Sequence, residues 1–205
     1  MEGAEAQFKV DIYSMPALFM LKAEIPDILV DNLNDYLDEL RKDKKRESLA
    51  NTLVGQIHQG EQLNIPFTED ERITPYAEYL TSLGATYINH FSQATGVQYK
   101  TKKQVMVDEL WSVHSFEGDY NPLHDHGTKT IMGISTTTWT KVPQQILDQP
   151  TSGTTDYSLY NASGNCDGCL AFSYGRNSLI DSDRLFPPQS AVVKPEVGVQ
   201  YMFPS

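Results

Sequence analysis

Long apolar runs and basic residues are both scarce in this sequence. No stretch approaches the roughly 20 apolar residues that a membrane-spanning helix needs. The start, MEGAEAQFKV, lacks the basic and apolar segments of a signal peptide. The 16 Lys and Arg residues are outnumbered by 27 Asp and Glu residues, which gives a formal net charge of -11. Because so acidic a surface repels phosphate backbones, we expect a globular protein of the cytoplasm that binds neither membranes nor nucleic acids.

The cysteines and three of the five histidines are weak candidates for a functional site. Cys166 and Cys169 form a C-x-x-C pair, but a zinc ion would need two further ligands and the sequence has no second such pair. We interpret both as structural or incidental thiols, with a functional pair as the alternative. His58, in a polar segment, and His90, beside an apolar helical stripe, are interpreted as structural. For His114, a position behind a metal ligand and an ordinary surface position stay equally open.

Two helices are predicted in the N-terminal region. Apolar residues recur on one helix face over Asp27–Leu40. The basic run Arg41–Arg46 is interpreted as the solvated end of this helix, where positive charge complements the helix dipole. A second helix is predicted to begin at Thr68, which forms a capping box with Glu71, and to end at Gly96.

From about residue 98 onward, segments rich in β-branched and aromatic residues alternate with turns. Helices followed by short strands favour an α+β protein, with an antiparallel sandwich or barrel that has helices on one face. We expect a single domain in which a helical region, 1–97, braces a strand-rich core, 98–205. The polar residues 47–67 are predicted to wind across the surface. The predicted strands lie in QVMVDELWSVHSF, TIMGISTTTWTKV, GCLAFSYG and GVQYMF.

The stretch EGDYNPLHDHG, Glu117–Gly127, contains two histidines one residue apart and many turn-forming residues. If the chain enters a strand here, His124 and His126 point to one face and Asp125 to the other. Two imidazoles on one face are a suitable pair of ligands for iron, zinc, nickel or copper. A third ligand must come from elsewhere. The alternative is a pair of surface or hydrogen-bonded histidines with no metal.

The residues from Trp111 to Pro143 resemble a family of iron(II)- and 2-oxoglutarate-dependent oxygenases found in phages and bacteria. The shared features are a Trp-bearing strand, Gly-Asp-Tyr-Asn-Pro, His-x-His and a Lys-Val-Pro exit. The segments DGCLAF and KPEVGVQYMFPS are similar to later parts of the family, and Ser-Leu-Ala-Asn with a following Gly-Gln to an earlier part. The likeness extends over Asp11–Ser205. It implies a double-stranded β-helix, or jelly roll, with N-terminal helices that brace one sheet.

The resemblance also implies a chemistry and the residues that perform it. His124 and His126 are the expected Fe(II) ligands, with Asp125 as the alternate ligand if a local bulge turns it inward. Asn121 is expected to hold the turn or to form a hydrogen bond behind a ligand. Ser135 and Thr137 are expected to line the pocket of the co-substrate 2-oxoglutarate. The implied reaction hydroxylates an unactivated C–H bond of a small-molecule or peptide substrate, and peptidyl proline is the first substrate to test.

In the family, a distal iron-binding His and a basic residue for the 2-oxoglutarate carboxylate follow the Phe-Pro-Ser motif. The present sequence ends at Ser205, so the resemblance implies that both residues and at least two strands lie beyond it. Two protein ligands hold iron weakly, and we expect little turnover from these 205 residues alone. Two other functions are compatible with the sequence. One is a three-His cupin-type dioxygenase that does not use 2-oxoglutarate, and the other is a non-enzymatic or degenerate jelly-roll domain.

Overall fold

The structure is a computed structural model and describes residues 19–97, 105–124, 133–148, 168–174 and 190–205. Helices and antiparallel strands occur in the same unit, because strands from both ends of the chain pair with one another. Within the described residues, no helix is both long and apolar enough to cross a bilayer. In chain order the elements are β1 (Leu21–Glu24), α1 (Asp27–Leu40), β2 (Glu61–Asn64), α2 (Thr74–Thr95), β3 (Trp111–His114), β4 (Ile134–Thr138), α3 (Gln144–Leu147), β5 (Leu170–Ser173), β6 (Ser190–Val193) and β7 (Val199–Pro204).

The first predicted helix is confirmed. Helix α1 begins after Pro26, whose fixed φ suits a helix start, and has Asp27 in its first turn. The apolar residues from Val30 to Leu37 face the core, with Leu33 only 3% exposed, whereas Ile28 is 64% exposed. The basic run Arg41–Arg46 follows the helix and is largely exposed, in agreement with its interpretation as a solvated helix end.

The predicted start of the second helix is wrong. Helix α2 begins at Thr74 rather than Thr68, and residues 71–73 form a turn before it. Pro75 explains the difference, because a helix starting at Thr68 would place this residue in its interior, without an N–H group and against a preceding carbonyl. Instead Pro75 lies in the first turn of α2, where a missing N–H costs nothing. The predicted stop is confirmed, since Gly96 caps the helix with a φ of 70°.

The prediction that residues 47–67 only wind across the surface is also wrong. Strand β2 lies within this segment and pairs antiparallel with β3. Its central residues are buried, with Leu63 1% and Gln62 3% exposed. Residues 47–49 lie along the other edge of β2, where Leu49 N–H donates to the Gln62 carbonyl at 2.8 Å. A four-residue strand with one apolar side chain has almost no sequence pattern to reveal it.

Each of the four predicted strand segments contains a strand, shorter than its segment in three cases. In the described part of the segment 104–116, residues 105–116, the only strand is β3, and β1 and β6 were not predicted. The described strands form a three-stranded sheet in the order β1-β7-β4 and two antiparallel pairs, β2-β3 and β5-β6. A closed jelly roll is not evident from these three small sheets, so that architecture stays a prediction.

One face of the three-stranded sheet packs against the helices. Its centre is Gln200, which is completely buried and accepts a hydrogen bond from the Tyr76 hydroxyl of α2 at 2.7 Å. The Gln200 amide nitrogen donates to the Thr136 hydroxyl and to the Thr137 carbonyl, at 2.7 and 2.9 Å. The apolar core continues from this face between α1, α2 and the residues after β2. Its buried members are Ile25, Val30, Leu33, Tyr36, Leu37, Ile65, Ile73, Tyr76 and Leu80.

The other face of the same sheet is turned toward β5. Tyr201 and Phe203 of β7 lie on it, because they alternate with Gln200 and Met202. The Phe172 ring of β5 contacts both, with ring centroids 6.5 Å from Tyr201 and 4.8 Å from Phe203. Trp139 packs edge-on against Tyr201 at 6.0 Å. Aromatic contacts therefore join the β5-β6 pair to the three-stranded sheet.

Candidate metal site

The turn before His124 is bound to a segment some 60 residues earlier in the chain. The Gln56 N–H donates to the Tyr120 carbonyl at 2.7 Å, and the Tyr120 N–H donates back to the Gln56 carbonyl at 3.1 Å. The Gln59 side chain donates to the Glu117 carbonyl at 2.9 Å. Gly55-Gln56 and Gly118–Pro122, which are some 60 residues apart in the chain, are thus adjacent in space.

Asp119 forms the centre of this contact. Its Oδ1 atom accepts hydrogen bonds from the backbone N–H groups of His58 and Gln59, at 2.7 and 3.0 Å. Its Oδ2 atom accepts from the Phe116 N–H at 2.9 Å. These backbone donors, first of all Gln59, lower the pKa of Asp119 below its ordinary value because they favour the charged carboxylate.

Asn121 and two glycines complete the contact. The Asn121 Oδ1 and Gln62 Nε2 atoms lie against Gly55, in the space that a Cβ atom at this position would take. At Gly60 the corresponding space is filled by the His114 carbonyl oxygen. The segment 55–60 therefore approaches the β3 region more closely than residues with side chains would allow. Asn121 thus lies against Gly55, and both of its expected roles stay predictions.

His124 lies at the surface, directly after this turn. Its Nδ1 atom is 2.7 Å from the Pro122 carbonyl oxygen. A carbonyl only accepts, so Nδ1 must be the protonated nitrogen, and the lone pair of the neutral imidazole resides on Nε2. This is the tautomer that a histidine uses to bind a metal through Nε2, with Nδ1–H fixed by a backbone carbonyl.

The other two residues of the His-Asp-His motif, Asp125 and His126, lie outside the described residues. The shared face of His124 and His126 therefore stays a prediction, as does the alternate ligand Asp125. Among residues 19–97, 105–124, 133–148, 168–174 and 190–205, no group of three or more His, Cys, Asp or Glu side chains could hold a metal ion.

Ser135 and Thr137 lie on the same face of β4. In register they oppose Phe203 and Tyr201, so both are on the sheet face that is turned toward β5 and away from the helices. Ser135 is 8% exposed, and its hydroxyl is hydrogen-bonded to the Ser205 hydroxyl at 2.8 Å. Both side chains lie beside the aromatic residues Tyr201 and Phe203 of β7, and the Ser135 hydroxyl is already bonded to Ser205.

The remaining histidines lie in other surroundings. His114 is half-buried, with Nε2 at 3.1 Å from the Ser112 hydroxyl. Burial lowers the pKa of His114, and the nearby Arg41 lowers it further. The His90 ring packs edge-on against Phe19 at 5.4 Å, which fits a structural role. His58 is exposed, and its backbone N–H is one of the donors to Asp119.

Among the described cysteine and basic residues, there is no further ligand set. Cys169 is half-buried just before β5, and Cys166 lies outside the described residues. Two surface clefts of about 340 and 350 Å³ lie beside β2, and His124, Ser135 and Thr137 line neither of them. The basic side chain Arg46 at one cleft is held by Glu61 at 3.0 Å.

Sequence reasoning did not identify Asp119 as a functional candidate. The residue belongs to the Gly-Asp-Tyr-Asn-Pro motif, and an aspartate in a turn commonly accepts hydrogen bonds from nearby backbone N–H groups. That signal suggests a local role and could not have shown the partners His58 and Gln59, which are 61 and 60 residues away.

Comparisons with known proteins give no relative. No family model matches the chain, and neither the curated proteins nor the solved structures include a match.

Proposed function

We propose that the protein is an Fe(II)- and 2-oxoglutarate-dependent dioxygenase that hydroxylates an unactivated C–H bond. The observation that carries this proposal is the hydrogen bond between His124 Nδ1 and the Pro122 carbonyl oxygen. It sets the imidazole in the tautomer that binds a metal through Nε2. The resemblance around Trp111–Pro143 supplies the identity of the metal and of the co-substrate.

The residues present fit part of an iron site. His124 and His126 supply neutral imidazole nitrogens, which suit Fe(II). Asp125 is the alternate second ligand. A third ligand and a basic partner for 2-oxoglutarate are expected from a further part of the protein, as the family resemblance implies. Iron together with 2-oxoglutarate supplies the oxidising power for C–H hydroxylation.

The chain's own residues orient and enclose the reactants in this proposal. The Pro122 carbonyl fixes the His124 ring, and Asn121 holds the turn. Ser135 and Thr137 would line the co-substrate pocket, where the Ser135 hydroxyl would have to exchange its contact with Ser205 for one with a carboxylate of 2-oxoglutarate. The aromatic contacts of Phe172 beside them exclude water, which strengthens such hydrogen bonds.

A jelly-roll architecture is part of the same proposal. It is supported by two packed antiparallel sheets joined by aromatic side chains, and by helices on the outer face of one of them. Strand β4 is at the edge of its sheet within the described residues. We infer that a further strand pairs with β4, because an uncovered edge promotes aggregation. The substrate is a small molecule or a peptide, and peptidyl proline is the first candidate.

Succinate formation tests this function. Purified protein is supplied with Fe(II), oxygen and a proline-containing peptide set, with and without 2-oxoglutarate. The 205-residue chain is compared with the chain lengthened along its reading frame. We expect 2-oxoglutarate-dependent succinate from the longer chain, and none from its His124→Ala variant, whereas the His58→Ala control retains activity.

The same assay separates the rival functions. Oxygen uptake that depends on iron but not on 2-oxoglutarate would identify a three-His dioxygenase. No iron binding and no oxygen uptake in either chain would indicate a non-enzymatic jelly-roll domain. Either result would reject the proposed function.

A further inference from the structure

We propose that Asp119 is a positioning residue of the metal site. Its carboxylate holds the turn that presents His124 and does not bind the metal itself. This inference rests on the proposed function, because it requires that His124 binds a metal ion. It assigns to Asp119 a role that the sequence motif alone did not reveal.

The carboxylate joins two distant segments through the backbone. Oδ1 accepts from His58 and Gln59 N–H, and Oδ2 accepts from Phe116 N–H. Hydrogen bonds to an ionised acceptor are stronger than those to a neutral one. Since backbone donors cannot rotate away as side chains do, the two contacts from His58 and Gln59 fix the position of Asp119 relative to the segment 56–60, and the contact from Phe116 holds Asp119 within its own turn.

Each residue between Asp119 and His124 up to Pro122 also makes a contact that helps to hold the turn. The next residue, Tyr120, exchanges two backbone hydrogen bonds with Gln56. Asn121 lies against Gly55. The Pro122 carbonyl then accepts the hydrogen bond from His124 Nδ1 at 2.7 Å. Displacement of Asp119 would therefore move the acceptor that orients the imidazole.

Both carboxylate oxygens already accept backbone hydrogen bonds, which argues against Asp119 as a ligand. A metal ion at Asp119 would have to compete with the donors His58, Gln59 and Phe116 for the same lone pairs. A role through geometry accounts for all of these contacts. Without Asp119, a smaller fraction of the protein molecules should have the turn in the conformation that binds metal, and the measured metal affinity should fall in proportion.

Titration with Co(II), used as a spectroscopic substitute for Fe(II), tests the inference. All proteins compared are made in the lengthened chain of the succinate assay, and they are the wild type, Asp119→Ala, Asp119→Asn, His124→Ala and the control Glu117→Gln. The control removes an exposed carboxylate from the same turn. Titrations are done well below the thermal midpoint of every variant, so that loss of global folding does not contribute.

We expect Asp119→Ala to weaken Co(II) binding by on the order of tenfold, as substitutions behind metal ligands do. The visible spectrum of the bound Co(II) should also change, because the imidazole is no longer held in one orientation. Asp119→Asn keeps one acceptor oxygen for His58 and Gln59, so its loss of Co(II) affinity should be smaller than that of Asp119→Ala. If Asp119→Ala does not fold, the Co(II) affinity and spectrum of Asp119→Asn alone test the inference. Glu117→Gln should bind as the wild type does.

The outcomes distinguish the two proposals. Wild-type affinity and spectrum in both Asp119 variants, with weaker binding in His124→Ala, would overturn the inference and leave the proposed function standing. An equal loss of Co(II) affinity in Glu117→Gln would also overturn the inference, because the negative charge of the turn rather than its geometry would then explain the weaker binding. Unchanged binding in His124→Ala, or no Co(II) binding by the wild type, would reject both.

Discussion

The sheet face that packs on α1 and α2 is covered by buried apolar side chains around Gln200 and Tyr76. The turn before His124, in contrast, is held by hydrogen bonds to Asp119. In the first region the side chains are almost completely buried. In the second, Phe116, Tyr120 and Leu123 are 52%, 61% and 71% exposed. Global stability therefore comes mainly from the helix-packed side.

This difference predicts how substitutions in the two regions behave. Loss of a buried contact on the helix-packed side lowers the free energy of unfolding of the whole domain. A turn with few buried apolar contacts can open locally at low cost. Changes there should alter the proposed metal binding more than the free energy of unfolding.

The largest effect is expected in the core of the helix-packed side. Leu33→Ala removes a side chain that is 3% exposed and should lower the free energy of unfolding by about 2–5 kcal/mol. Ile28→Ala on the same helix is the control, because Ile28 is 64% exposed. Urea denaturation of both variants measures the difference. Equal losses of unfolding free energy in the two variants would contradict the assignment of Leu33 to the core.

The buried network on Gln200 should give the next largest effect. Tyr76→Phe removes the hydroxyl that donates to the Gln200 side-chain oxygen at 2.7 Å. A buried acceptor left without its donor costs about 1–3 kcal/mol. Tyr79→Phe serves as the control, since its hydroxyl donates to the Glu24 carbonyl at a more exposed position. Urea denaturation measures the free energy of unfolding of both variants. A smaller loss of this free energy in Tyr76→Phe than in Tyr79→Phe would show that the network does not stabilise the sheet.

The smallest effect is expected from His114 and concerns pH. Burial lowers the pKa of His114 in the folded protein, so the unfolded chain binds the proton more tightly. The free energy of unfolding should therefore fall as pH falls through the unfolded value of about 6.5. Denaturation between about pH 7.5 and pH 5.5 isolates this residue from the carboxylates, which titrate lower. His114→Gln should flatten the dependence in that window, and an unchanged slope would contradict the account.

The fold was predictable where its signals are local. Helix α1 follows from its apolar periodicity and Gly96 from its role as a helix stop. The start of α2 was missed because the capping-box pattern Thr68/Glu71 outweighed Pro75, although proline is the stronger constraint on a helix interior. Strands β1 and β2 were missed because each has four residues, and their pairing with β7 and β3 is set by distant segments.

For the candidate site, the sequence offers only residue types and their spacing. Residue type and spacing made His124 and His126 possible ligands, and the resemblance made Ser135 and Thr137 possible pocket residues without fixing their direction; both remain predictions. The tautomer of His124 depends on the position of the Pro122 carbonyl, and the role of Asp119 on N–H groups from residues 58 and 59. Such contacts arise from tertiary structure and leave no pattern in the local sequence.

Metal binding by the two histidine variants tests the central claim most directly. Co(II) is titrated into the wild type, His124→Ala, His126→Ala and the control His58→Ala, with unfolding measured in parallel. We predict that each of the first two variants loses at least about tenfold in affinity without a matching loss of stability, while His58→Ala binds as the wild type does. Equal Co(II) affinity in all four proteins would contradict the assignment of His124 and His126 as metal ligands.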